Sequence, residues 1–204
     1  MIIKTVNEKS IGIIYMTFGK RAAKSAELSL NSLKNLGIEI PAVCVGDTKV
    51  SGVPFLKWEG KSPWQKGDIA GKFYAGEVKP FLYDLSPFTY TLYIDADTEF
   101  LKSPIPGFEE LIENDLLLWR AEQPHFLSLS IIRTMDPRLG FSVECANDTI
   151  EMAGEENCGI ICSGIIFFKK KSSVRDLFLD WYREWLKYRV WDEQSPLVRA
   201  IWLH

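Results

Sequence analysis

Histidine is nearly missing from this chain, with two among 204 residues, and cysteine is sparse, with four. Long hydrophobic runs and an excess of one charge are missing as well. Each shortage removes a class. The cysteines (Cys44, Cys145, Cys158 and Cys162) are unevenly placed and make no disulfide frame, so reduced thiols in a cytoplasmic protein are expected. Cys158 and Cys162 are close enough in sequence to chelate zinc, but no second pair with finger spacing accompanies them. Unbroken apolar runs reach about five residues against the ~20 of a membrane helix, so no membrane span is expected. The start, Met1 to Lys9, lacks a basic region followed by an apolar stretch, and no secretory signal is expected. Basic and acidic residues number 24 and 27, giving a net charge of −3, and the longest basic run is Lys169-Lys170-Lys171. A nucleic-acid partner is therefore not expected.

The chain does have apolar and aromatic side chains, 47% and 13% of its residues, which excludes disorder. At this length one domain over residues 1–204 is the expectation. Strand and helix patterns alternate. Ile11-Gly-Ile-Ile-Tyr-Met-Thr-Phe is a continuous apolar run of the kind buried on both faces of a sheet. From Lys20 to Leu36 the period changes, with Ala22, Ala26, Leu30 and Leu33 on one side, and Gly37 is the expected left-handed stop.

Further strands are expected at 40–46, 54–58, 90–94, 115–119 and 162–168, with helices at 71–85, 108–113 and 172–188. A strand, a helix and a strand within 45 residues is the crossover unit of parallel sheet. Residues 120–157 show the least periodicity and are read as an irregular insertion facing the acceptor. The fold class is α/β, a mostly parallel sheet with helices on both faces.

Tyr90-Thr-Leu-Tyr-Ile runs straight into Asp95-Ala96-Asp97-Thr98. Residues two apart in extended chain point the same way, so both carboxylates aim beyond the strand's carboxyl end, where open α/β sheets bind ligands. Like charges so close call for a cation between them, and their hard oxygens suit Mg²⁺ or Mn²⁺. A turn with capping carboxylates is the plainer reading of the same residues.

The segment resembles the metal-binding Asp-x-Asp of the nucleotide-diphospho-sugar transferases of the GT-A fold, and within them the glycogenin-like family 8 glycosyltransferases. Three more features are similar: Lys79, sixteen residues before Asp95; Cys162-Ser163-Gly164 opening a strand; and Asp192-Glu193-Gln194 opening a helix. The resemblance spans most of residues 11–202. It implies a Rossmann-like GT-A sheet and metal-dependent transfer of a sugar from a UDP-sugar to an acceptor, saccharide or protein. In that reading Asp95 and Asp97 hold Mn²⁺ or Mg²⁺, and Lys79 neutralises the leaving diphosphate. Asp192 or Glu193 orients the sugar, beside which Ser163 and Gly164 lie. The end of the first strand holds the nucleotide, with Thr17 bonding the base and Tyr15 or Phe18 stacking on it, and Ala96 lines the donor site.

Departures are also visible. The family's later His-x-x-Gly-x-x-Lys-Pro-Trp segment has no counterpart before His204, and Cys162 replaces its asparagine. Two other readings stay open: a nucleotide-sugar binding protein without turnover, and a phosphatase of the haloacid-dehalogenase kind, whose Asp-x-Asp follows the first strand of its fold. His125 is read as a surface or hydrogen-bonded histidine. Phe178, Trp181, Trp185 and Tyr188 share one helix face and are read as core or subunit packing, so self-association is left open. Trp58, Trp64 and Trp191 are candidates for stacking on an acceptor sugar, and Lys61 to Gly67 for a loop over the donor.

Overall fold

The computed structural model describes residues 11–58, 75–120, 143–154, 161–188 and 193–204. His125, Trp64, Trp191, Asp192, Cys158 and the 61–67 loop lie outside them.

Among the described residues six strands form one sheet: β1 (Ile11–Thr17), β2 (Ala42–Gly46), β3 (Phe55–Lys57), β4 (Tyr90–Ile94), β5 (Leu116–Arg120) and β6 (Ile161–Lys169). Their order is β3-β2-β1-β4-β6-β5. β3, β2, β1 and β4 pair in parallel, and β6 is antiparallel to both β4 and β5. Five strands thus run one way and β6 alone runs back. Every residue of β1 is buried, as expected for a strand with neighbours on both sides and helices on both faces.

The alternation of side chains sorts the core into two layers. Ile13 and Tyr15 of β1, Leu92 and Ile94 of β4, and Cys44 of β2 face α1 (Gly19–Asn35) and Phe108 of α4 (Ile105–Glu110). Ile14, Met16, Tyr93, Ile166 and Phe168 face the other way. There they meet α2 (Ala75–Val78), a 3₁₀ turn (Lys79–Phe81), α3 (Leu82–Leu85), α6 (Ser172–Tyr188) and α7 (Gln194–Trp202). Helix α1 buries Ala23, Ala26, Leu30 and Leu33 and is followed by Gly37 at φ 70°, the left-handed stop the sequence called for. Ala22, expected on the same buried stripe, is only half-buried.

Three elements differ from expectation. The helix read over 108–113 lies three residues earlier, at Ile105–Glu110, with Pro104 as its N-cap. The helix read over 71–85 is, from residue 75 onward, two short helices joined by the 3₁₀ turn. Pro80 has no N–H for the carbonyl four residues back, so the helix cannot run through it. The stretch 120–157, read as irregular, contains helix α5 (Val143–Ala153). Cys145, Ala146, Thr149 and Ala153 make its buried stripe, and Ala146 and Ala153 pack against Val198 of α7. Asn147, Asp148 and Thr149 are poor helix formers, which hides that period from a sequence reading. Residues 121–142 and 155–157 of the same stretch lie outside the description. Among the described residues, no helix is long and apolar enough to cross a membrane.

Candidate active site

Four separated pieces of sequence meet at one edge of the sheet because of strand direction. Strand β4 points its carboxyl end at this edge and delivers Asp95. Strand β6 runs the opposite way, so its first residues, Cys162, Ser163 and Gly164, arrive at the same edge. The Asp95 amide donates to the Gly164 carbonyl at 2.8 Å, locking the two together. The 3₁₀ turn supplies Lys79, and the residue preceding α7 supplies Glu193.

Lys79 is the hub. Its Nζ lies 2.8 Å from Glu193 Oε1, 3.2 Å from Ser163 Oγ and 3.3 Å from Asp95 Oδ1, and 5.5 Å from the centroid of the Tyr93 ring. An ammonium has three hydrogens, and three oxygens take them. Ser163 in turn donates to Glu193 Oε1 at 2.8 Å, the Tyr93 hydroxyl donates to Asp95 Oδ1, and Trp181 Nε1 donates to the Glu193 carbonyl at 2.8 Å.

Burial alone would push the Lys79 ammonium down, but the charges of Glu193 and Asp95 and its hydrogen bonds to them outweigh it and hold it above its ordinary value. Burial would likewise lift the Glu193 carboxyl; Lys79's charge and hydrogen bond, with the Ser163 hydroxyl, hold it below the usual range. Tyr93 is driven well above a normal phenol, first by burial and then by the Asp95 charge it serves. Lys79 and Glu193 thus hold each other in the charged form.

Gly164 has a sharper role than the sequence suggested. A Cβ there would lie 2.6 Å from Asp95 Oδ2, so the missing side chain makes room for Asp95 itself. Thr17 and Tyr15 also serve other ends. Thr17 is fully buried and its hydroxyl donates to the Thr48 carbonyl at 2.7 Å, which leaves no hydrogen for a base. Tyr15 is fully buried with its hydroxyl 3.0 Å from Ser29 Oγ.

Phe18 and Ala96 do face open space. They line a cleft of about 410 Å³ whose wall includes Asp95, Asp97, Tyr93 and Arg21. Asp97 is exposed and has no hydrogen-bond partner among the described residues. Among the described residues no group of three or more histidine, cysteine, aspartate or glutamate side chains could hold a metal ion. His204 is 3.1 Å from Asp180 on α6.

The sequence reading passed over Tyr93, Trp181 and Arg21. Tyr93 was detectable, because a tyrosine two residues before Asp95 shares its face of the strand. Trp181 looked like one more member of an apolar helix face, and its indole N–H pointing at the Glu193 carbonyl leaves no trace in spacing. Arg21 sits on the exposed side of α1, where an arginine is unremarkable until the cleft is seen.

No family model and no curated protein matches the sequence. Solved structures do resemble the fold. The bifunctional glycosyltransferase WbbM in its apo form superposes with a TM-score of 0.60 at 15% identity, covering 96% of this chain and 38% of WbbM. The galactosyltransferase LgtC, in complex with donor and acceptor sugar analogues, gives 0.57 at 15% identity, covering 94% of this chain and 70% of LgtC. Mouse xyloside xylosyltransferase 1, also an apo form, gives 0.50 at 13%, covering 95% and 81%. The chain spans little more than a third of the first of these. Identities this low speak for the fold, and the fold of this chain is that of the GT-A glycosyltransferases.

Proposed function

We propose that this protein is a metal-dependent glycosyltransferase that moves a sugar from a nucleoside-diphosphate donor, UDP in the first instance, to an acceptor. The observation that carries the reading is the cleft at the carboxyl edge of β1 and β4, with Asp95 and Asp97 on one wall and the Lys79 network behind Asp95. Asp95 Oδ1 is taken by Lys79 and Tyr93. Its Oδ2 and the Asp97 carboxylate are hard oxygens of the kind that Mg²⁺ or Mn²⁺ takes from protein when substrate phosphates and water complete its shell. A bound ion would supply positive charge against a departing diphosphate.

The chain's own residues do the rest by position. Lys79 holds Asp95 and Glu193 in place and adds a fixed positive charge behind the metal ligands. Ser163 and Trp181 fix Glu193. Arg21 offers a second cation at the open wall, where it can reach a phosphate that the buried lysine does not. Phe18 offers the base a face. Asp192 remains a candidate for orienting the sugar.

The test is incubation with a panel of UDP-sugars and Mn²⁺, following UDP release alongside a general phosphatase substrate. UDP release that EDTA and Asp97→Ala both abolish supports the proposal. Turnover of the phosphatase substrate alone overturns it.

A further inference from the structure

Beside the donor cleft lies a second groove of about 440 Å³, between the outer face of α1 and the chain that leaves β4. The two share Ser25 and Asp97 in their walls, so they adjoin. The volume is within the range of small-molecule sites.

The floor of this groove is fixed. Ser32 Oγ donates to the Ser29 carbonyl at 2.7 Å and accepts from the Phe100 amide at 2.9 Å, pinning the 97–100 chain to α1. Ser29 Oγ pairs with buried Tyr15 of β1. A ligand would meet a surface already held in place, with little ordering cost.

The walls have a particular chemistry. Asn31 and Asn35 stand one turn apart on α1 and are exposed, and neither side chain has a partner among the described residues. Each amide offers two donors and an acceptor to one side. Asn31 lies within a 17-residue helix, where asparagine is a poor helix former and alanine or lysine would serve the fold better. Asp97 and Glu99 add acceptors opposite, and Leu28, 62% exposed, adds one aliphatic surface.

Among the described residues no lysine or arginine lines the groove, so no cation there holds a phosphate or a carboxylate. Nor do the described residues place an aromatic ring or a deep apolar recess there for a peptide side chain. Paired amides, hydroxyls and carboxylates around a small apolar contact complement a neutral chain of alcohols.

We infer that this groove binds a neutral oligosaccharide, leading away from the donor cleft past Asp97. As an acceptor-chain site the inference rests on the transferase reading; as a binding site it stands apart from it. The test is saturation-transfer NMR on the full chain with maltotriose, cellotriose and N-acetyllactosamine, with glucose 6-phosphate as anionic control. UDP with Mn²⁺ is titrated in parallel.

The expected result is binding of at least one neutral oligosaccharide, no binding of the phosphate ester, and a loss of about tenfold in N31A/N35A, the weight of two hydrogen bonds. UDP binding stays unchanged in that variant. Asn31→Arg, which obstructs the groove without emptying it, is expected to act the same way. Failure of all three neutral sugars to bind at about 10 mM, weaker than any useful acceptor site, overturns the inference, as does equal binding to both variants. Sugar binding without UDP binding overturns the transferase reading and leaves the groove; the reverse overturns the groove alone.

Discussion

Among the described residues two cation–carboxylate pairs are buried, and they are built differently. Arg199 on α7 and Glu184 on α6 are enclosed, with side chains 1% and 5% exposed and Nε 2.8 Å from Oε2. The guanidinium also donates to the Cys145 carbonyl at 3.2 Å, to Thr149 and to the Glu184 carbonyl at 3.3 Å, so one side chain ties α5, α6 and α7 together. Lys79 and Glu193 are also deep, but their network ends at Asp95, whose side chain is 40% exposed at the cleft. The arginine's planar fork suits a closed structural knot; the lysine's point charge serves a chain of contacts that surfaces at a ligand. Exposure at the end of a network does not by itself mark a site, since Glu184 also pairs with Lys187, 54% exposed on the surface; the Lys79 network differs in ending on a carboxylate in the wall of a cleft.

The largest effect that separates the two belongs to the closed knot. Arg199→Ala leaves the buried Glu184 with only the surface Lys187 as its cation and unties α5, and the expected cost is about 3 kcal/mol. Scanning calorimetry should then show a melting temperature lower by roughly 6–12 °C. A change within a degree or two would mean that water reaches the knot and the contrast is false.

Asp97→Ala is the opposite case. This exposed carboxylate has no partner to strand, so stability should stay within about 0.5 kcal/mol, while UDP release falls about 100-fold or more. Equal loss of stability and of activity would put Asp97 among the structural residues.

The depth of legibility differed in the same way. Strand β4 was read to the residue, because a short apolar run between turn residues reads as a buried strand in an alternating chain, while the two aspartates after it lie in a turn, with the Thr98 amide donating to the Asp95 carbonyl at 3.2 Å. Lys79, Ser163, Gly164 and Glu193 were singled out through a resemblance, and the structure brings them together. Their partners were not legible. That Lys79 would lie between Glu193 and Asp95, and not free in the cleft, depends on β6 running back to the same edge, which no local spacing encodes. Helix α5 was hidden by poor helix formers whose buried stripe makes sense only once α7 lies against it.

A smaller effect sharpens the open network. Ser163→Ala removes a hydroxyl that donates to Glu193 and accepts from Lys79. The expected cost is about 1–2 kcal/mol in urea unfolding, with UDP release reduced several-fold through misplacement of Glu193. Unchanged activity at reduced stability would make Ser163 a packing residue.

The smallest effect is in pH. Glu193 is held below its ordinary 4.5, so its contribution to stability is whole above that pH and disappears as pH falls through its lowered value. Lys79 is held above 10.5, so its contribution is whole below that pH and disappears as pH rises through its raised value. The stability difference between the wild type and Glu193→Gln, followed by urea unfolding, should be flat from about pH 5 to 10 and shrink below pH 4.5. A difference that changes near neutrality would mean that another group governs the network.

The most direct test is calorimetric titration of UDP into the wild type and Asp97→Ala, each with and without Mn²⁺. UDP should bind the wild type with Mn²⁺ and far more weakly without it, and Asp97→Ala should lose the ion-dependent part. Binding that ignores both the ion and Asp97, or no heat under any condition, contradicts the assignment of this cleft to a nucleoside diphosphate.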